Sequence, residues 1–174
     1  MPPLSHDDRD ARVRQYADLV YRTALRIVGG TDDAADVTQE ALVRIWQKGD
    51  AVPAAKLRAW CARVARNAAL DHLRRGSVRP HTWERDTPMP DGDLHAPSPA
   101  DDAEQADLRR HLDRAIAALD EPYRSIVVLR EIEGLSYAEV SDALDLPLNT
   151  MKVYLHRARR RLRLGLRATL PALP

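Results

Sequence analysis

Apolar residues recur along this chain at three- and four-residue spacing, which predicts helices. Over residues 9–28 the pattern is Val13, Tyr16, Ala17, Val20, Ala24, Leu25 and Ile27, and Gly29 and Gly30 stop it. Thr31 is a natural cap for a second helix, with Asp32 and Asp33 in the first turn where the helix dipole favours negative charge. That helix runs to about residue 48 and buries Val37, Ala41, Ile45 and Trp46. The run GDAVPAA, residues 49–55, breaks the pattern. A third helix over 56–75 buries Leu57, Trp60, Val64, Ala68 and Leu73 and projects Arg58, Arg63, Arg66, Arg74 and Arg75. Three helices joined by short loops can close a small core, so residues 7–75 are expected to form one helical domain.

Periodicity lapses over residues 76–100, a polar stretch interrupted by Pro80, Pro88, Pro90, Pro97 and Pro99, which predicts a flexible linker. At ~3.3 Å per residue its extended reach is roughly 80 Å, against ~35 Å for one turn of DNA. Two modules tethered this way could touch sites about two helical turns apart. The helical pattern resumes over 101–119 with Leu108, Leu112, Ala115, Ile116 and Leu119 inward. Asp120 can cap the next helix, with Pro122 in its first turn; residues 123–133 supply Ile126, Val127, Leu129 and Ile132 before Gly134 ends it.

The densest pattern lies in residues 136–163, which read as a short helix, a tight turn and a second helix. Ser136 and Glu139 have the spacing of a capping box, in which hydroxyl and carboxylate each accept from the other's backbone N–H. The first helix ends near Leu144, and Asp145, Leu146 and Pro147 make a turn that a helix cannot run through. Asn149 or Thr150 can cap the second helix. In it Met151, Leu155, Ala158 and Leu162 form one apolar stripe, leaving Lys152, Tyr154, Arg157, Arg160 and Arg161 turned away from it. The second domain thus spans 101–168. The expected fold is all-α: two small helical domains, the second a helix-turn-helix, joined by a flexible linker.

From Leu148 to the C-terminus there is no acid. A helix apolar on one side and cationic elsewhere suits a solvated face, a membrane surface or a nucleic acid. A capped partner helix and a proline turn are what the major groove of DNA calls for, and a membrane-surface helix needs neither. The formal net charge of +1 over 174 residues hides this segregation, because Glu84, Asp86, Asp91, Asp93, Asp101, Asp102 and Glu104 gather in the middle. Cys61, the single cysteine, excludes an intramolecular disulfide. Phenylalanine is absent, so the cores must be filled by aliphatic residues with Trp46, Trp60 and Trp83 as the largest side chains. No apolar run approaches the ~20 residues needed to cross a bilayer, and the N-terminus lacks the apolar core of a signal peptide. The protein is therefore expected to be cytoplasmic, gathered on the nucleoid when active, with no membrane insertion. Nothing in the sequence has the form of a catalytic, cofactor or metal motif, and its histidines are scattered. The residues alone leave open a helix-turn-helix regulator that binds duplex operator by itself, a DNA reader that works within a larger assembly, and a pure interaction module that reads no DNA.

The runs DAADVTQEALVRIW, LRAWCARVARNAALDHLRR, LDEPYRSIVVLREIEGLSYAEVSDALDLP and NTMKVYLHRARRRL, in that order, resemble bacterial RNA polymerase sigma factors of the extracytoplasmic-function class. The resemblance spans both domains. It implies that Asp36, Gln39, Glu40, Arg44 and Trp46 dock on the clamp helices of the polymerase's largest subunit, and that the second domain meets the flap region. It implies a minus 10 recognition and melting surface at Arg58, Trp60, Arg63, Asn67, Asp71 and Arg74, and a minus 35 reader at Thr150, Lys152, Val153, Tyr154, His156, Arg157, Arg160 and Arg161. Trp60 is either a stacking platform for an unstacked base or a core residue. The implied partners are core RNA polymerase, promoter DNA and an anti-sigma factor. Departures include Asn149 for glycine, Met151 for valine, Leu42 and Leu57 for aromatics, and Val153 for a small polar residue, which bears on the minus 35 preference.

Overall fold

The computed structural model describes residues 5–76 and 99–169. The expected linker, apart from Gly76 and the first residues of a helix that begins at Pro99, lies outside the described residues, as do its acids Glu84 to Asp93 and Trp83. The described residues form helices and turns only: α1 (His6–Val28), α2 (Thr31–Lys48), α3 (Ala54–Gly76), α4 (Pro99–Ala117), α5 (Tyr123–Val127), α6 (Tyr137–Leu144) and α7 (Leu148–Thr169).

Helices α1, α2 and α3 pack against one another as an N-terminal module. Ser5 caps α1 in a reciprocal box with Asp8, which starts this helix earlier than the apolar pattern alone indicates, and Gly29 ends it in the left-handed conformation. Thr31 does not cap α2: it is the first helical residue, preceded by Gly30, and no side chain accepts at that end. Between α2 and α3 a 3₁₀ turn spans Gly49–Ala51. Arg9 and Arg12 both reach Asp50, at 2.7 and 2.9 Å, and a Cβ on Gly49 would lie 2.6 Å from the Arg12 guanidinium. A larger residue there would push the arginine from its place across the loop.

The buried stripe of α3 is Leu57, Cys61, Ala62, Ala65, Ala68 and Ala69. Trp60, Val64 and Leu73, expected inside, only flank the core. Alanines permit closer approach of helix axes than large side chains do, so the face that packs tightest is the one that apolar bulk marks least.

In the C-terminal module α4 buries Ala115 and Ile116, and Leu119 follows just beyond it, but Leu108 is 48% exposed, against the expectation that it points inward. Pro122 stands before α5, and no side chain, Asp120 included, caps that helix. The segment expected as one helix over 123–133 changes character at Val128–Ile132, where the turn widens to π geometry, and Gly134 with positive φ ends it. The Ser136 to Glu139 box is present in both directions, and Asp145 closes α6 in the left-handed conformation. Helix α7 begins at Leu148, with Met151 N–H donating to the Pro147 carbonyl at 2.9 Å, so Asn149 and Thr150 sit inside the first turn rather than capping it. Met151, Leu155 and Ala158 are buried and Leu162 packs against the core, as the stripe predicts.

The modules do not stand apart. Buried residues of α1, α2 and α3 and of the segments from Ile126 to Leu155 belong to one continuous apolar cluster. A second, smaller cluster holds Ile116, Leu119, Val127, Val128 and Ala158 together. No described helix is long and apolar enough to cross a membrane.

Candidate nucleic-acid and polymerase interfaces

Helix α7 turns a row of charges outward, although Arg159 pairs with Glu131 at 2.7 Å. The buried stripe faces inward and the opposite side is exposed at Lys152, Val153, His156, Arg157, Arg160 and Arg161. Lys152, Arg157 and Arg160 have no ion-pair partner among the described residues. The capped α6, the turn after it and the α7 stripe fix the direction in which this row points, so a polyanion can meet it without rearrangement. Two expected readers are held differently. Tyr154 is half-buried, its ring 5.5 Å from that of Tyr123, and packs against the core rather than turning away. Arg161 lies over the Tyr123 ring at 4.2 Å and reaches Asp120 at 3.4 Å, which ties it to the α4–α5 corner. Thr150 is half-buried in the first turn.

Helix α3 is the opposite case. Of the residues expected at the minus 10 surface, Arg58 donates to the Glu133 carbonyl at 2.7 Å and to the Glu139 carboxylate at 3.5 Å. Arg63 donates to the Asp142 carbonyl. Arg66, not in the expected set, donates to Ser125 Oγ at 3.1 Å and lies 3.7 Å from Glu121. Trp60 is half-buried beside the core, intermediate between the two roles open to it. Asn67 is exposed and its amide oxygen accepts from Arg66 at 3.2 Å, while Asp71 and Arg74 pair with each other at 2.9 Å. The expected surface is thus divided: Asn67, Asp71 and Arg74 remain on the outside, and Arg58 and Arg63 are turned against the C-terminal module.

Sequence reasoning missed the pair that anchors this contact. Arg22 on α1 reaches Glu133 through two nitrogens, the shortest distance being 3.0 Å, and the Glu133 side chain is fully buried. The hydrogen bond to Glu133 raises the Arg22 pKa above its ordinary value. Burial pushes the Glu139 carboxyl up, but its hydrogen bonds from Ser136 and the Arg58 charge outweigh that and hold it below the usual carboxylate range. Nothing in the spacing of Arg22 marks it out, because both partners of the pair lie in ordinary amphipathic segments.

On the far side of the N-terminal module, Asp36, Gln39, Glu40 and Arg44 line one open groove on α2 together with Val43 and Gln47. Glu40 holds this face together by pairing with Arg44 at 2.5 Å and with Arg75 of α3 at 3.0 Å. Val43, 53% exposed, was missed, although an apolar side chain on an otherwise polar helical face is a readable signal. Trp46 does not share the groove. Its indole N–H donates to Asp10 at 3.0 Å, with Arg9 over the ring and His6 beside it, so it staples α2 to the start of α1. Among the described residues no group of three or more His, Cys, Asp or Glu could hold a metal ion.

Two family models match the chain, Sigma-70 region 2 over residues 12–79 and Sigma-70 region 4 over residues 109–162. The chain is 36% identical to the ECF RNA polymerase sigma factor SigE of Mycolicibacterium smegmatis, over 88% of this chain and 60% of the relative's length. It is 32% identical to the ECF RNA polymerase sigma factor SigL of Mycobacterium tuberculosis, over 87% of this chain and 85% of that one. Among solved structures, the sigma factor RpoE of Bartonella quintana, in complex with the anti-sigma factor NepR, shares the fold with a TM-score of 0.70 at 20% identity, covering 92% of this chain and 97% of that one. CnrH in complex with the cytosolic domain of CnrY shares it with a TM-score of 0.66 at 23% identity, covering 94% and 90%.

Proposed function

This chain belongs to the extracytoplasmic-function class of RNA polymerase sigma factors, proteins that join core polymerase and direct it to promoters, and we propose how its surfaces divide that task. The N-terminal module, residues 7–75, docks on the clamp helices of the largest subunit through the α2 groove of Asp36, Gln39, Glu40 and Arg44, to which Val43 and Gln47 are added. Trp46 supports that face from behind instead of touching the partner. The same module captures the minus 10 element on α3, with Asn67 and Arg74 exposed and Arg58 and Arg63 beside them. Opening a duplex requires a binder that prefers unstacked bases while cations hold the phosphates, and a basic helix next to a pinned loop offers both.

The C-terminal module, residues 101–168, reads the minus 35 element with α7 in the major groove, through Lys152, Val153, His156, Arg157 and Arg160. The observation that carries this reading is the unpaired cationic row of α7, aimed outward by a capped helix and a turn. A stand-alone regulator would need only this module, and the α2 groove would have no use. The chain is further proposed to be held inactive by an anti-sigma factor, since the Bartonella quintana neighbour is solved with one.

Mixing the purified chain with core RNA polymerase and a set of promoters tests the reading. Specific initiation is expected only with the core enzyme, and weak duplex binding without it. A footprint on an operator by the chain alone would make it a regulator, and binding to core with no new start site would make it an adaptor.

A further inference from the structure

The loop between α2 and α3 has almost nothing to grip with. It runs Gly49, Asp50, Ala51, Val52 and Pro53, and α3 then opens with Ala54 and Ala55. Ala51, Pro53, Ala54 and Ala55 are exposed, while Val52 packs against the core. A flat base can pack against small apolar groups of this kind. With no polar side chain offered on its outer side, such a loop selects by shape, and its shape has to be set from elsewhere.

Asp50, the one side chain of the loop able to hydrogen-bond, is drawn toward α1. Its carboxylate accepts from Arg12 at 2.9 Å and lies 2.7 Å from Arg9 in an ion pair. The Arg12 and Asp50 side chains are only 13% and 20% exposed, so salt and water screen their attraction little. Gly49 leaves the space through which the Arg12 guanidinium reaches. Arg9 also lies over the Trp46 ring at 5.1 Å, which ties the end of α2 to the same cluster. One guanidinium would neutralise the carboxylate, and two leave a net positive charge beneath the loop.

Resting on the assignment of the minus 10 site to α3 and the loop beside it, we infer that Arg12, supported by Arg9, is a positioning residue for base capture. It holds Asp50, and through Asp50 the loop, in the shape that receives an unstacked base, and it touches no DNA itself. Released from α1, Asp50 would turn a carboxylate toward the phosphates, and Gly49 and Ala51 would let the loop sample many shapes. A site that is competent only a fraction of the time binds with its affinity reduced by that fraction. Pairing across 38 residues of sequence thus fixes beforehand a loop that its own residues leave undetermined.

Holoenzyme assembled from the full chain and core RNA polymerase tests this on a promoter from which it initiates. The minus 10 element is presented with its non-template strand single, and each of its bases in turn is replaced by an abasic site. With the wild type, one position should stand out, its base removal costing about tenfold in affinity. Arg12→Gln and Asp50→Asn should flatten that penalty to less than about twofold. Arg12→Lys, which keeps a charge beside Asp50, should retain most of it. Gly49→Ala alters no charge, and its backbone is ordinary helical, but a Cβ there would lie 2.6 Å from the Arg12 guanidinium; it should flatten the penalty too, and it keeps the question answerable if a charge variant folds poorly. Losing a charge alone would weaken every oligonucleotide alike and leave the penalty in place, so the profile separates positioning from electrostatics. Variants that keep the wild-type profile would overturn the inference, as would Arg12→Lys and Arg12→Gln behaving alike. A wild type with no such position, or one that initiates nowhere, would instead sink the minus 10 assignment, and this inference with it.

Discussion

Helices α3 and α7 are both rich in arginine and both assigned to promoter DNA, yet their charges are in opposite situations. In α7 the cations Lys152, Arg157 and Arg160 point away from everything described. In α3 the cations Arg58, Arg63 and Arg66 are spent on carbonyls, a hydroxyl and carboxylates of the same chain. The difference lies in support. The orientation of α7 is set locally, by the turn before it and by a stripe that docks on its own module. The basic side of α3 lies opposite its alanine face, and what covers it comes from the other end of the chain. A run of basic residues therefore establishes capacity for polyanions, and only tertiary structure tells whether that capacity is free.

The largest effect expected from this contrast is on α7. Replacing Lys152 and Arg157 together with alanine should lower promoter-complex formation by about 100-fold, taking each contact as ~1–2 kcal/mol. It should leave affinity for core polymerase unchanged, as measured by gel shift with core enzyme present and by a core-binding assay without DNA. Arg63→Ala should behave differently. It removes a cation that is already engaged, so weak duplex binding by the isolated chain should not change, and a loss should emerge only in the open complex on core polymerase. Equal loss of core binding in the α7 variant would show that this helix serves the polymerase instead.

Next in size is the contribution of the α6 cap, which touches both sides of the comparison because Glu139 caps the helix and meets Arg58. Ser136→Ala should destabilise the C-terminal module by about 1 kcal/mol. The pH dependence has a definite sign. The Glu139 carboxyl is held below its ordinary value in the folded chain, so its stabilisation is fully present above the unfolded value of about 4.3. It is lost as pH falls through the lower folded value. Unfolding free energies of the wild type and Glu139→Gln should differ at pH 6 and converge as pH falls below the lowered folded value. A constant difference across that range would mean that the charge on Glu139 contributes nothing to the cap or to the contact with Arg58.

What was legible in the sequence is what is local. The Ser136 to Glu139 box, the stop at Gly29, the turn before α7 and the stripe Met151, Leu155, Ala158 each depend on residues a few positions apart, and each stands where the pattern puts it. The misreadings are tertiary. Trp60 and Leu73 looked like core because they are large, whereas the close contact of α3 is made by Cys61, Ala62, Ala65 and Ala68, whose small size brings the helices together. Tyr154 turned inward because Tyr123 is there to receive it. Trp46 left the docking face because Asp10 and Arg9 hold it against α1. The contact between the modules was hard to foresee because two of its acceptors are backbone carbonyls, of Glu133 and Asp142, which no residue code can single out. The tether arithmetic allowed the modules to separate, but nothing in it opposed their packing together.

The smallest expected effect is a null that separates the two faces of α3. Cys61 lies on the face turned to α1 and α2, fully buried, and burial pushes its thiol up to about 12. At pH 8 only about one molecule in ten thousand would carry the reactive thiolate, and that one is out of reach of solvent. The other side of the helix, the side of Arg58 and Arg63, meets the C-terminal module. Asp142→Lys, which sets a like charge against Lys56, and Arg22→Glu, which sets one against Glu133, weaken only that contact and should leave Cys61 as unreactive toward a maleimide as in the wild type, while denaturant makes it react at once. A thiol that became reactive in these variants would mean that the three-helix core loosens together with the contact between the modules, and that α3 has one stability rather than two independent faces.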